Sequence, residues 1–303
     1  MSRIASIDIG TNTILMLVAD INTKDFSVVN QYFSIPRLGE GVDKTSLISE
    51  DSLQRASEIL KNYYDECQKS NVHKILAVGT SALRDATNSK EIKNIFENIL
   101  DSEIRIITGE EEAYLSFIGS VDLNNDSLLI DIGGGSTEII HGHNDKIFFR
   151  ESLQIGAVRI TERIFERKYP IAKDKTESAK ELIISHLSKV NFQKFPENFY
   201  SVAGTPCAIA TALNGLFDYE VEKIDGKEIF QKDINKIVHN FMELTPAEIT
   251  SHYMINPKRA DLIAAGGLIL NTILEYWGIE KVIVSAKGLR YGIIKDYIIK
   301  TNQ

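Results

Sequence analysis

LLIDIGGGSTEII (128–140) decides the architecture, because IDIGTNTILMLVAD (7–20) states the same grammar near the N-terminus. Each stretch is an apolar run closed by an aspartate, then a Gly-containing polar turn, then a second apolar run. Short apolar runs bounded by turn residues read as buried strands, so each copy reads as a hairpin with one carboxylate at the end of its first strand. The two aspartates, Asp8 and Asp131, lie 123 positions apart. That distance is far too long for a solenoid period and predicts a duplicated α/β domain.

The surrounding patterns extend both copies in the same order. Strands are predicted over 3–9, 13–21 and 26–32, a helix over 52–68 with Leu53, Ala56, Ile59, Leu60, Tyr63 and Cys67 at helical spacing, then strand 74–78, helix 89–100, strand 104–107 and helix 110–121. The second copy runs through strands 128–133, 137–141 and 148–154, helices 157–166 and 176–190, strand 199–203 and helix 206–213. Helices 231–242 and 259–276, a strand over 281–285 and a last helix over 289–299 complete the chain. No Pro-rich or Gly/Ser-rich linker separates the halves, so the predicted boundary near residue 120 rests on the repeat, with a cleft expected between two facing turns.

The 303 residues include 34 Lys plus Arg against 42 Asp plus Glu, a net charge of -8, with 43% hydrophobic residues. This is a globular composition with a sizeable core. It argues against broad adhesion to nucleic acid or anionic lipid, which needs a basic face, so a polyanionic substrate must meet a local basic pocket. The longest apolar-plus-Gly run, 262–270, is far short of the ~20 residues that cross a bilayer. The N-terminus lacks a signal-peptide pattern, and the expected location is the cytoplasm. Cys67 and Cys207 stand far apart, outside any C-x-x-C motif, and are expected to be buried reduced thiols.

A Gly-containing turn can cradle phosphate through successive backbone N–H groups, and an adjacent aspartate suits Mg²⁺, which takes few carboxylates together with water and substrate phosphate. Two copies, one with the consecutive glycines Gly133, Gly134 and Gly135, point to phosphate binding. A P-loop, a dinucleotide G-x-G-x-x-G and a G-x-S-x-G elbow are absent. His141 and His143 share one strand face without further suitably spaced ligands, and read as a solvated strand end.

With these motifs the chain resembles the exopolyphosphatase and guanosine pentaphosphate phosphohydrolase family, a branch of the actin, Hsp70 and sugar kinase superfamily. The stretches that carry the resemblance run in family order: 7–20, RLGEGVD (37–43), GTSALRDATN (79–88), GEEEAYL (109–115), 128–140, SLQIGAVRITE (152–162), VAGTPCAIA (202–210), NPKRADLIAAGGLIL (256–270) and VSAKGLRYGII (284–294). The implied fold is a duplicated ribonuclease H-like α/β fold with an interdomain cleft. Domain I would be 1–120, with the C-terminal helix of about 289–303 packed back on it, and domain II 121–288.

The resemblance implies Glu112 as the catalytic carboxylate that activates water, with Glu110 and Glu111 as solvated acids. It implies Asp131 and Glu138 as Mg²⁺ residues and Asp8 as a further partner or a turn cap. Thr11, Asn12, Thr13, Gly133, Gly134, Gly135 and Ser136 would hold phosphate. Arg84 would bind phosphate or pair with Asp85 or a nearby acid. Arg37, Lys287 and Arg290 are candidates for a basic lining, and Arg259 is expected to pair with Asp261 or another acid. Tyr114 stands where the family often has Arg, and LRYG (289–292) where LREG is more usual. The implied partners are inorganic polyphosphate or guanosine pentaphosphate, with no nucleic acid or membrane and a possible homodimer. Two alternatives stay open: a kinase or ATPase with a nucleotide pocket around 203–210, and a non-catalytic sensor.

Overall fold

A computed structural model describes residues 2–192, 195–216 and 221–301. The chain divides into two compact units, Met1–Gly119 with Gly288–Gln303, and Ser120–Lys287. The last two residues of the expected C-terminal helix, 302–303, lie outside the described residues.

The first unit contains β1 (Ser2–Ile9), β2 (Ile14–Ile21), β3 (Phe26–Ser34), α1 (Val42–Thr45), α2 (Glu50–Lys69), β4 (Lys74–Gly79), α3 (Ser81–Asp85), α4 (Ser89–Leu100), β5 (Ile104–Ile106) and α5 (Gly109–Ser120). The second contains β6 (Ser127–Ile132), β7 (Thr137–His143), β8 (Lys146–Leu153), α6 (Ala157–Arg163), α7 (Lys173–Leu187), β9 (Asn198–Val202), α8 (Gly204–Leu213), α9 (Val221–Ile224), β10 (Glu228–Phe230), α10 (Gln231–Glu243), α11 (Pro246–Tyr253), α12 (Pro257–Trp277) and β11 (Lys281–Ser285). Helix α13 (Leu289–Thr301) returns to the first unit.

The duplication is explicit in the sheets. The first has the order β3-β2-β1-β4-β5, with antiparallel β1/β2 and β2/β3 and parallel β1/β4 and β4/β5. The second reads β8-β7-β6-β9-β11, with antiparallel β6/β7 and β7/β8 and parallel β6/β9 and β9/β11; β10 adds an antiparallel edge. Both are ribonuclease H-like sheets, and Asp8 on β1 and Asp131 on β6 occupy equivalent places on the central strand.

Burial on both faces explains the unbroken apolar runs. On one face of β1 and β2, Ile4, Leu17 and Ala19 pack against Tyr291, Ile294 and Ile298 of α13, and the Ser6 hydroxyl donates to the Arg290 carbonyl at 2.7 Å. On the other, Ile7, Ile9 and Met16 meet Ala56, Leu60 and Tyr63 of α2 and Ile92 and Phe96 of α4. In the second unit α12 is buried from Leu262 to Leu274 and lies against α6, α7, α8, α10 and α11, which is why its apolar pattern runs all round the helix. No described helix is long and apolar enough to cross a membrane.

Several boundaries differ from the sequence reading. The helix expected over 157–166 stops at Arg163, and Glu166 and Arg167 follow in the left-handed region at φ 53° and 55°. The helix expected over 176–190 runs instead over Lys173–Leu187. Helix α11 was not read from the pattern, although Thr245 and Glu248 form a capping box at its start. Asp261, one of the acids expected near Arg259, is bound by Arg167 at 2.7 Å, and the Arg259 guanidinium lies where a Cβ on Gly204 would stand. Both cysteines are buried free thiols, and burial pushes the Cys67 thiol up to about 12.

Helix α5 is seated on α13 through glycines. A Cβ on Gly119 would stand 2.6 Å from the Gly292 nitrogen, and one on Gly292 would strike the Leu115 carbonyl, which is backbone and has no rotamer to change. Gly292→Ala is therefore expected to cost about 3 kcal/mol through overpacking, read as a lower urea midpoint with an unchanged slope.

Candidate active site

In the first unit the β1–β2 connection closes with the Gly10 N–H donating to the Thr13 carbonyl at 2.9 Å. The Thr11 carbonyl accepts from the Gly39 N–H at 2.7 Å and the Asn12 carbonyl from the Arg37 N–H at 3.2 Å. In a trans peptide the C=O of one residue and the N–H of the next point opposite ways. Tying these two carbonyls to the 37–39 segment therefore turns the Asn12 and Thr13 N–H groups away from it. The N–H groups of Thr11, Asn12 and Thr13 meet no acceptor among the described residues. Three such donors suit an anion. Asp8, half-buried, lies at the end of β1 just before this turn.

Helix α5 carries Glu110, Glu111 and Glu112 in its first turn, where negative charge suits the helix dipole. Glu110 is exposed, Glu111 pairs with Arg105 at 2.6 Å, and the Glu112 side chain is only 12% exposed. Its Oε2 accepts from Arg84 Nη1 at 2.9 Å, and the same nitrogen donates to the Ile107 carbonyl at 3.1 Å. Arg84 sits on α3 just after β4, and Ile107 follows β5, so adjacent parallel strand ends bring the arginine and the carboxylate together. Nε and Nη2 of Arg84 meet no acceptor among the described residues, which leaves a planar fork of donors suited to phosphate oxygens. Of the two partners weighed for Arg84, the acid is Glu112; the Asp85 carboxylate accepts from the Ser81 hydroxyl at 3.3 Å.

In the second unit the Gly133 N–H donates to the Ser136 carbonyl at 2.9 Å. The Gly133 carbonyl accepts from the Ala157 N–H at 3.0 Å, and the Gly134 carbonyl from the N–H groups of Val158 at 2.9 Å and Arg159 at 3.2 Å. The Gly135 carbonyl accepts from Arg159 Nε at 2.9 Å. The N–H groups of Gly134, Gly135 and Ser136 meet no acceptor among the described residues. Gly156 makes this packing possible, since a Cβ there would stand 2.6 Å from the Gly135 carbonyl carbon.

Asp131 and Glu138 face each other across the β6/β7 ladder. Facing residues of an antiparallel pair project to the same side with Cβ atoms about 5 Å apart, where two negative charges repel, so the pair fits a divalent cation. Glu138 is 2% exposed, and its Oε1 accepts from the Ser152 hydroxyl at 2.8 Å, from the facing position on β8. Among the described residues no group of three or more His, Cys, Asp or Glu side chains is arranged to hold a metal. A pair of carboxylates is the donor set that Mg²⁺ accepts alongside water and phosphate.

The weaker basic candidates have other partners. Arg37 lies 3.8 Å from Glu40, Lys287 pairs with Asp225 at 2.8 Å, and Arg290 is buried with Nη2 donating to Gln31 at 3.0 Å. His141 Nε2 is 2.7 Å from Asp126. Ser152 and Arg159 went unread in the sequence, because strand register and the turn-to-helix contact define them. Ser152→Ala leaves the Glu138 carboxylate short of a buried donor, an expected loss of about 2 kcal/mol in equilibrium urea denaturation.

Residues 17–300 match the model of the Ppx/GppA phosphatase family. A bifunctional 3-dehydroquinate synthase/phosphatase of Fusobacterium nucleatum is 33% identical over 96% of this chain, which spans 46% of that longer protein. Exopolyphosphatase 2 of Mycobacterium tuberculosis is 27% identical over 97% of this chain and 98% of its own. Among solved structures, an exopolyphosphatase-like protein superposes with a TM-score of 0.93 at 27% identity, covering 100% of this chain and 99% of that one. The Aquifex aeolicus family member gives 0.84 at 28% identity over 100% and 99% of the two chains. Equivalent sheets, paired Asp-bearing turns and a match spanning nearly all of the sequence lead to one assignment: the chain belongs to the Ppx/GppA phosphatase family.

Proposed function

We propose that the protein is a cytoplasmic exopolyphosphatase that releases the terminal phosphate of inorganic polyphosphate, and that the 5′ γ-phosphate of guanosine pentaphosphate is open to the same chemistry. The observation that carries the reading is the Arg84–Glu112 pair at 2.9 Å, a carboxylate placed beside a guanidinium whose remaining donors suit phosphate. Phosphoryl transfer asks mainly for positioning and charge neutralisation. The N–H groups of Thr11, Asn12 and Thr13, and those of Gly134, Gly135 and Ser136, would bind phosphate oxygens, with Arg84 adding its fork. Glu112 would accept a hydrogen bond from the attacking water and orient it toward phosphorus. The water oxygen forms the new P–O bond as the bridging P–O bond breaks, Glu112 would take the proton that water loses, and the shortened chain leaves as a phosphate anion. Asp131 and Glu138, with Asp8 as a further partner, would hold Mg²⁺. When bound, the metal offsets phosphate charge.

The kinase alternative needs adenosine around residues 203–210. The Arg259 guanidinium lies against Gly204 at that place, and phosphate release without an acceptor tells hydrolysis from transfer. The test is phosphate release from long polyphosphate, short polyphosphate and guanosine pentaphosphate side by side, with and without Mg²⁺ and without any acceptor. Glu112→Gln is expected to keep its circular dichroism and lose at least about a hundredfold in turnover; wild-type turnover would remove Glu112 from the chemistry. Asp131→Asn combined with Glu112→Gln is expected to fall well short of the product of the two single losses, as groups serving one step do.

A further inference from the structure

We propose that Arg159 is a positioning residue that holds the Gly135–Ser136 peptide with its N–H presented to phosphate. This inference rests on the reading of the Gly133–Ser136 turn as a phosphate cradle. Three carbonyls in that turn must point inward for three N–H groups to point outward, because each peptide unit sets the two opposite ways. The first amides of α6 secure two of them: Ala157 holds the Gly133 carbonyl, and Val158 and Arg159 hold that of Gly134. These contacts consume the helix-start donors that a cap would otherwise satisfy, and the N-cap Gly156 has no side chain to do so. The third carbonyl, Gly135, is met by no backbone amide among the described residues. Its donor is Arg159 Nε, at 2.9 Å.

The equivalent turn of the first unit shows why this is a particular need. There the Thr11 and Asn12 carbonyls are both held by backbone N–H groups, from Gly39 and Arg37, and no side chain among the described residues holds either. Both turns span four residues and close with the same hydrogen bond, but the second has Gly134 and Gly135 where the first has Thr11 and Asn12, and Gly135 is followed by no branched or ring-bearing residue that would restrict it. Glycine on one side leaves that peptide free to rotate. Rotation would replace the Ser136 N–H with the Gly135 carbonyl and set a negative dipole toward the anion.

Two substitutions separate the Nε–H from the charge. Arg159→Gln puts an amide nitrogen the same number of bonds from Cα as Nε, without charge; Arg159→Met puts a methyl there, with no donor. Tripolyphosphate binding is measured by calorimetry on the full chain, alongside backbone amide shifts of Gly135, Ser136, Asn12 and Thr13. The expected result is an affinity within about threefold of wild type for Arg159→Gln and about tenfold weaker for Arg159→Met, the size of one lost hydrogen bond. In Arg159→Met the Gly135 and Ser136 shifts are lost while those of Asn12 and Thr13 persist. Equal losses in both variants would overturn the proposal in favour of a direct charge on phosphate, and wild-type affinity in Arg159→Met would overturn it outright. Should Arg159→Met not fold, Arg159→Gln decides: near-wild-type affinity with the Ser136 shift retained supports the proposal, and a tenfold loss overturns it. Tripolyphosphate that moves neither turn in the wild-type chain is a different failure, that of the phosphate reading itself.

Discussion

A peptide unit cannot offer its carbonyl and its N–H to the same side, and the candidate site follows from that constraint. In both turns the protein binds the carbonyls, so the N–H groups of consecutive residues are left facing away from it. A concave row of such donors carries partial positive charge without any basic side chain. Such donors would let a chain of net charge -8 take the phosphate proposed above without a basic surface. The basic contribution is local and directional: Arg84, two of whose three guanidinium nitrogens stay clear of Glu112.

The same constraint shapes the surrounding fold. Strands β1 and β6 are buried on both faces and each ends at a turn, so the rigidity of the central strand is passed to the peptides that matter. Helix α5 brings Glu112 to the end of the first sheet, and its position depends on glycine contacts with α13 that leave no room for a methyl group. A helix from the far end of the sequence thus sets the placement of a carboxylate near residue 112. In the second unit α12 does comparable work, since its buried surface supports α6, whose first amides hold the Gly-rich turn.

Duplication has preserved topology more closely than it has preserved the way each turn is held. Five strands correspond in order and direction. Yet the first turn leans on the loop at 37–39 and the second on the start of α6 and the Arg159 side chain. The carboxylates have also diverged. Asp131 has Glu138 opposite it on the ladder, whereas Asp8 faces Leu15. The facing pair of carboxylates therefore belongs to the second unit's hairpin.

Much of the architecture was legible because it depends on local pattern. The repeated run from apolar residues through Asp and Gly placed both hairpins, and helical spacing placed α2 and α4. Three consecutive acids in GEEE could be told apart only through resemblance; the structure separates them by facing Glu111 to Arg105 and Glu112 to Arg84. Other features had no local signal. The Arg84–Glu112 pair joins residues 28 apart, Ser152 reaches Glu138 through strand register, and Arg167 reaches Asp261 from 94 positions away. By itself the sequence determined which residues form strands, where the turns fall and that two similar domains result, because hydrophobic periodicity and glycine act over a few residues. Which carbonyls are tied back, which donors are left over and which carboxylate meets an arginine were decided by the tertiary structure, because hydrogen-bond partners are chosen by distance in space.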